Sequence, residues 1–345
     1  MTAAAVNNTL EDYYETLKPL NLAPLWVRLK GLVPSEPTPK AVPFRWAWSP
    51  TREALLASGS LISAREAERR VLVLENPGLP GQSRITDTLY AGMQLILPGE
   101  LAPAHRHTQS ALRFCLEGEG AVTSVDGERT TMHRGDFIIT PFWTWHDHKH
   151  EGDEPVIWLD GLDVPLVTAL CAGFREEHTD EDQEISRPEG DALARYGNNL
   201  LPLDHPVSRT SPVFSYPYSR TRESLDTLAR TGPVDAHHAI TLRYINPTNG
   251  DWAIPTIGTM MKLVPAGFET RPYRATNSSV IVVLEGELDV AVGQDPYVRV
   301  SRNDVMSIPG WSNVRYRAVG GDAIAFCFSD RPVHEKLGLF REVRG

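Results

Sequence analysis

The feature that most limits what this chain can fold into is a repeat. With the numbering shifted by 168, FCLEGEGAV (114–122) falls on VVLEGELDV (282–290) and RGDFIITPFW (134–143) falls on RNDVMSIPGW (302–311). Leu-Glu-Gly-Glu occurs at 116–119 and again at 284–287. Arg134, Asp136, Pro141 and Trp143 match Arg302, Asp304, Pro309 and Trp311 without a gap. Such self-similarity marks one structural unit present twice. Each copy consists of short runs rich in Val, Ile, Leu, Phe and Thr, such as LYAGMQLIL, DFIITP and VIWLDGL, separated by Gly, Asp and Pro. Strands this short at this spacing predict a closed or sandwiched antiparallel sheet, so the expected core is two copies of one β-barrel.

The flanks read differently. Residues 9–32 are patterned as helix, interrupted at Pro19 and Pro24, and a Pro-rich connector follows at 34–43. Ser63 followed by Glu66 has the spacing of a capping box and predicts a helix through Arg70, with Arg65 and Arg69 on one face of it. The expected organisation is a helical arm over 1–75, a first barrel over 76–165, a connecting segment over 166–240, and a second barrel with the C-terminal tail over 241–345.

The chain of 345 residues carries a net charge of −10, which argues against a nucleic-acid partner but leaves room for a small anion gripped by local arginines. Cys115, Cys171 and Cys327 form no CxxC pair, as suits reduced thiols in the cytoplasm. The first residues lack the basic start and apolar centre of a secretory leader, and no apolar run is long enough to span a bilayer. A soluble cytoplasmic protein with no membrane partner is expected.

The chemistry concentrates in the first copy, which contains Gly99-x5-His105-x-His107-x10-Gly118 and then Gly135-x5-Pro141-x4-His146. Residues i and i+2 of a strand face the same way, so His105 and His107 can offer imidazoles to one point, and His146 from a neighbouring strand can complete one face of an octahedron. His133, His178, His205 and His334 lack such a setting and read as polar side chains facing solvent. In the second copy the equivalent positions are Tyr273, Ala275 and Val314, which make no Fe(II) ligand set. One metal per chain is expected.

These spacings resemble the two motifs of the cupin superfamily and imply an all-β core of two cupin, or jelly-roll, barrels: a bicupin with an N-terminal helical arm. Two positions depart from the pattern. Ala111 stands where the superfamily has a glutamate ligand, and Trp143 stands where its second motif has glycine. Three neutral histidines would leave the ion its full positive charge and an extra open position, which favours a chelating anionic substrate beside O2. A metal-dependent cupin isomerase would ordinarily keep the glutamate. A non-enzymatic, storage-like bicupin would have no reason to keep the histidines of one barrel and lose those of the other.

FRWAWSP (44–50), LYAGMQLILPGELAPAHRHTQSALRFCLEGEG (89–120) and WLDGLDVPL (158–166) resemble the gentisate 1,2-dioxygenases, whose close relatives act on salicylate and 1-hydroxy-2-naphthoate. The resemblance implies one Fe(II) per chain, an aromatic acid held through its carboxylate and adjacent hydroxyl, O2 as co-substrate, ring opening between the carbons that bear those groups, and a homotetramer. Gentisate would give maleylpyruvate. Within that expectation Arg113 suits the substrate carboxylate, or else an ion pair with Asp160, an acid in an apolar strand that otherwise orients Arg113 or a ligand histidine. Gln94 and Tyr90 suit the ring hydroxyls or O2, and Gly92 leaves room for the ring. His148 suits a supporting role or proton transfer, unless it and His150 simply form a polar strand end. Arg69, with Arg65, suits an anion gate, although solvated charge is the plainer reading of Arg65.

Overall fold

A computed structural model describes residues 9–345. The chain separates into two compact units that divide between Thr38 and Pro39. Within the described part of the first, helices Leu10–Leu17 and Leu25–Leu32 flank a 3-10 turn at Lys18–Leu20. Thr9 and Asp12 form a capping box. Pro19 lies in the 3-10 turn and Pro24 is the N-cap of the second helix, where a missing N–H does no harm. Leu20, Leu22, Leu25, Trp26, Val27, Leu32 and Val33 are all exposed, while Leu17 is buried.

The second unit holds both barrels. The first pairs a six-stranded sheet, in the order 215–216, 137–140, 111–117, 156–162, 90–96, 71–73, with a five-stranded sheet, 175–177, 101–107, 146–150, 121–125, 128–131. The second repeats the plan with 44–46, 305–308, 279–285, 323–329, 258–264, 240–243 and with 298–300, 288–292, 314–318, 273–275, 342–344. Alternation divides each inner strand between two cores. Met93, Leu112, Phe114, Ile139 and Leu159 point out of the first barrel and meet Val280, Val282, Leu284, Phe326 and Phe328 of the second in one shared apolar core. Phe114 and Phe326 stack there with centroids 4.2 Å apart. The second barrel's interior is filled by Val264, Ile281, Val283, Val290, Val314 and Tyr316.

The repeat is larger than its strand landmarks. The strand ahead of each barrel adds to the other barrel: Phe44–Trp46 pairs with Val305–Ile308, and Ser215–Tyr216 pairs with Phe137–Thr140. The helix after each short strand then crosses back. Helix Trp48–Gly59 receives Asp304 at its first N–H, 2.7 Å away, and sends Arg52 to Glu117. Helix Tyr218–Thr231 receives Asp136 at 2.8 Å and sends Arg222 to Glu285. A carboxylate at a helix N-terminus satisfies an orphan donor and opposes the dipole. Behind each barrel Asp163 and Asp330 play matching parts. Asp163 takes the Ser110 N–H at 3.0 Å and the Thr256 hydroxyl at 2.5 Å; Asp330 takes the Ser278 N–H at 2.8 Å and the Thr88 hydroxyl at 2.5 Å.

The predicted helix at 63–70 is not formed. Ser63 and Glu66 do make the reciprocal bonds of a capping box, but Glu68 turns to φ +56°, and the chain straightens into strand Val71–Val73. Arg70, buried against Glu100 and the Ile62 carbonyl, draws the backbone away from the helical path. Cys115 and Cys327 are buried and Cys171 is exposed, all as free thiols. No helix among the described residues is long and apolar enough to cross a membrane.

Candidate metal centre

His105 lies opposite His146 in the pairing of Leu101–His107 with His146–His150. His107 follows His105 on the same side of its strand. The rings approach with centroids 4.5 Å (His105–His146), 4.9 Å (His107–His146) and 5.4 Å (His105–His107) apart. One ring nitrogen from each lies within 4.8 Å of the other two. The outward nitrogens are already used: His107 Nδ1 is 2.8 Å from the Gln109 carbonyl and His146 Nδ1 is 3.0 Å from the Thr144 carbonyl. A carbonyl only accepts, so both Nδ1 atoms carry the hydrogen and both Nε2 lone pairs are free. Burial pushes His105 down to about 2, with Arg69 adding to the effect, and His107 down to about 4 against the Gln109 bond; burial and Arg113 hold His146 well below its usual range. Three neutral imidazoles converging on one point fit a divalent transition metal.

The second barrel is the internal comparison. Tyr273 lies opposite Val314 there, as His105 lies opposite His146. The Tyr273 hydroxyl donates to Glu342 at 3.0 Å. Lys262, which follows Gln94 at the repeat spacing, gives its ammonium to the His238 carbonyl and the Thr241 hydroxyl. That interior is a packed core with one internally bonded cation.

The wall beside the triad comes from Tyr90–Ile96, Ala111–Glu117 and Val156–Leu162. Arg113 and Asp160 are cross-strand partners, with Nε 3.7 Å from Oδ1. Arg113 also donates to the Thr140 hydroxyl, and Asp160 accepts the Trp158 indole N–H at 3.0 Å. The Arg113 Nε is buried without a hydrogen-bond partner. Burial raises Asp160 to about 6, against the pull of the Arg113 charge. Gly92 lies opposite Asp160, and Gln94, also buried, lies opposite Trp158. A Cβ on Gly92 would sit 2.4 Å from Val71 Cγ1 and 2.9 Å from the Tyr90 hydroxyl, so no side chain fits. Burial, and then the Asp160 charge, keep the Tyr90 hydroxyl protonated. His148 is fully buried; its Nδ1 is 2.9 Å from the Thr123 hydroxyl and its Nε2 has no partner. His150, also buried, bonds the Glu154 carbonyl at 2.6 Å, so it is a structural residue rather than a polar strand end.

Without a helix at 63–70, Arg65 and Arg69 do not share a face. Arg65 is exposed and reaches Glu181. Arg69 is half-buried and donates to the Glu68 and Pro103 carbonyls. Among the described residues it has no carboxylate partner. Burial and the Arg113 charge push its pKa down, Asp160 being the nearest compensation. Sequence reading missed Arg175. Strand Arg175–Glu177 runs beside the histidine strand, with Arg175 opposite His107, and the Arg175 guanidinium meets Glu68 at 2.5 Å. Its triplet, Arg-Glu-Glu in an acidic, polar stretch, carries no strand signal. Arg69, His105, Arg175 and Glu68 line a cleft of about 210 Å³; two larger cavities flank helix 218–231 and contain none of these residues. Trp143, in the glycine position of the motif, does adopt the left-handed backbone that favours glycine, with φ +56°, and its counterpart Trp311 has φ +60°.

Residues 92–163 match the cupin domain model. The chain is 48% identical over 341 residues to a gentisate 1,2 dioxygenase of Aquipseudomonas alcaligenes, covering 99% of this chain and 98% of that protein. It is 39% identical to a gentisate 1,2-dioxygenase of a Streptomyces species, covering 97% and 96%. The crystal structure of a salicylate 1,2-dioxygenase from Pseudoaminobacter salicylatoxidans, in adducts with gentisate, superimposes with a TM-score of 0.93 at 33% identity over 100% of this chain and 96% of that one. With a relative this similar over essentially its whole length, a bicupin fold and a histidine triad able to hold a metal, the chain belongs to the gentisate 1,2-dioxygenase family of ring-cleaving enzymes.

Proposed function

We propose that the protein is an Fe(II)-dependent dioxygenase that opens gentisate (2,5-dihydroxybenzoate) between its carboxyl-bearing and adjacent hydroxyl-bearing carbons, adding both atoms of O2 to give maleylpyruvate. The observation that carries the reading is the pairing of three converging imidazoles with a buried guanidinium, Arg113, whose Nε has no hydrogen-bond partner. His105, His107 and His146 hold one iron per chain. An Fe(II) ion held by them would supply Lewis acidity toward the oxygens of the aromatic acid and redox chemistry toward O2. Arg113 and Arg69 receive the carboxylate charge, and Asp160 steadies Arg113. Gln94 and Tyr90 meet the ring oxygens, Gly92 lets Val71 and the Tyr90 hydroxyl close in on the wall beside them, and the unpartnered Nε2 of His148 holds a proton in transit. The relatives that act on gentisate place that acid ahead of salicylate and 1-hydroxy-2-naphthoate.

The test is metal analysis coupled to an aerobic panel of the three acids. Gentisate is expected to give a new ultraviolet absorber with label from 18O2 at two positions. His105→Ala and His146→Ala are expected to lose both iron and turnover, and full activity in either would remove the assignment. A homotetramer is the expected assembly, since the apolar surface of the 9–38 unit calls for a partner; sedimentation of the intact chain decides it. A cytoplasmic location accords with the unpaired thiols.

A further inference from the structure

Besides Arg113 and Arg69, a third guanidinium stands beside the triad, that of Arg175. Strand Arg175–Glu177 pairs with the histidine strand in a register that sets Arg175 opposite His107, Glu176 opposite Arg106 and Glu177 opposite His105. Directly opposed residues of an antiparallel pair share one face of the sheet. Glu176 therefore joins Arg106 on the outer face, where it accepts two bonds from that guanidinium, while Arg175 and Glu177 stand on the face of the histidines. Arg175 meets Glu68 at 2.5 Å. Glu68 belongs to the turn ahead of strand Val71–Val73, so the contact joins two separate walls of the cleft that reaches His105.

The three guanidiniums form a graded series. The Arg175 side chain is 46% exposed and that of Arg113 is 4% exposed; Arg69 is intermediate and, after burial, feels both of the other charges. Burial does most to hold His105 and His107 below their usual range, and the charges of all three arginines push the same way. Like charges gathered in this way favour the entry of an anion. The approach to them does not. The chain carries a net charge of −10, and Glu177, Asp180 and Glu181 line the same cleft. An aromatic carboxylate coming from solvent needs a cation within reach at the opening, and Arg175 is the exposed member of the series. In the second barrel, where no histidines stand, the charge at this place is reversed: Glu342 lies opposite Ala275, as Arg175 lies opposite His107, and accepts the Tyr273 hydroxyl.

We propose that Arg175 is the entry guide of the site: it draws the carboxylate of the aromatic acid into the cleft toward Arg69, and Glu68 is the counter-charge that restrains it until an anion arrives. The inference rests on the reading of the site as that of an aromatic acid. It gives the two members of one ion pair opposite effects. Loss of Arg175 removes an attraction, whereas loss of Glu68 removes a repulsion and leaves Arg175 uncommitted. A pair that merely shaped the cleft would be broken equally by either change, and both would act in the same direction.

The test measures association without turnover. Gentisate is mixed with the Fe(II)-loaded full chain in the absence of O2, and the rate of binding is followed by the fluorescence of the acid at several salt concentrations. Gentisate methyl ester, which keeps the ring and lacks the charge, is the comparison. At low ionic strength Arg175→Gln is expected to slow association about threefold and Glu68→Gln to speed it by about the same factor, as for one unit charge acting through a water-like medium. Arg175→Lys and the double variant Glu68→Gln/Arg175→Gln are expected to stay near wild type. The differences should fade at about 1 M salt, where the screening length is about 3 Å, and the ester should respond to none of the changes. Single variants that shift the rate in the same direction overturn the proposal. So does an Arg175→Gln rate indistinguishable from wild type at low salt, or an ester that follows the acid. If Arg175→Gln does not fold, the direction of the Glu68→Gln effect, at a side chain 53% exposed, decides. A wild type that binds none of gentisate, salicylate and 1-hydroxy-2-naphthoate overturns the substrate reading itself, and with it the premise; binding that ignores both variants overturns the guide alone.

Discussion

Replacing Arg113 with Met tests the centre of the site. The Arg113 side chain is 4% exposed and that of Asp160 is 7%, so solvent screens neither group. A hydrogen bond to a charged group contributes about 1.5–3 kcal/mol, and each factor of ten corresponds to about 1.4 kcal/mol. Arg113→Met should therefore lower kcat/KM for gentisate by roughly 10- to 150-fold. Most of the loss should appear in KM, because the carboxylate is gripped before and during reaction alike. Iron content should stay at the wild-type level, since Arg113 is not a ligand. Stability should change with a definite sign. Asp160 already sits at about 6, raised by burial and restrained by Arg113; without the guanidinium it rises further. A carboxyl whose folded pKa lies above its unfolded value stabilises fully below that unfolded value and loses the contribution as pH rises through the folded pKa. The deficit of the variant against wild type should thus be small near pH 5 and widen above about pH 6. Urea unfolding at several pH values, with steady-state kinetics on the iron-loaded enzyme, measures both effects. A kcat/KM within threefold of wild type, or a pH-independent stability deficit, would refute the assignment of Arg113 as the carboxylate clamp.

Ala111→Glu should restore a carboxylate ligand to the first barrel; metal should be retained at least as well as in wild type while gentisate turnover falls, and undiminished turnover measured beside metal content would show that the position is not needed open. Thr88→Val and Thr256→Val remove the same hydrogen bond from the two halves of the chain. Each should cost about 1–3 kcal/mol, and unfolding curves showing one costly and the other neutral would contradict their equivalence.

The sequence announces some of this plainly and hides the rest for physical reasons. The repeat is visible because its turns need glycine, aspartate and proline at fixed places, and His105 and His107 share a side because strand alternation is local. The exchange of strands is hidden, because Phe44–Trp46 and Ser215–Tyr216 are two or three residues long and depend on partners far along the chain. Arg69 was placed on a helix because the Ser63–Glu66 signal is real and local; what ends the turn is Arg70, drawn to Glu100 thirty residues on. The contact of Arg106 with Glu176 spans seventy residues and leaves no local trace.

The exchanged strands also bear on why a barrel without the histidine triad stays in the chain. Strand Phe137–Thr140 has Ser215–Tyr216 along its outer edge, and that edge piece arrives only with the second repeat. A half-chain ending before it would present a bare, apolar edge, a template for joining other chains. The helix that follows the edge piece is likewise tied to Asp136 by its first N–H. The silent half is therefore the seam allowance of the working half: it holds no metal ligands of its own, yet the garment cannot be cut along the line between them.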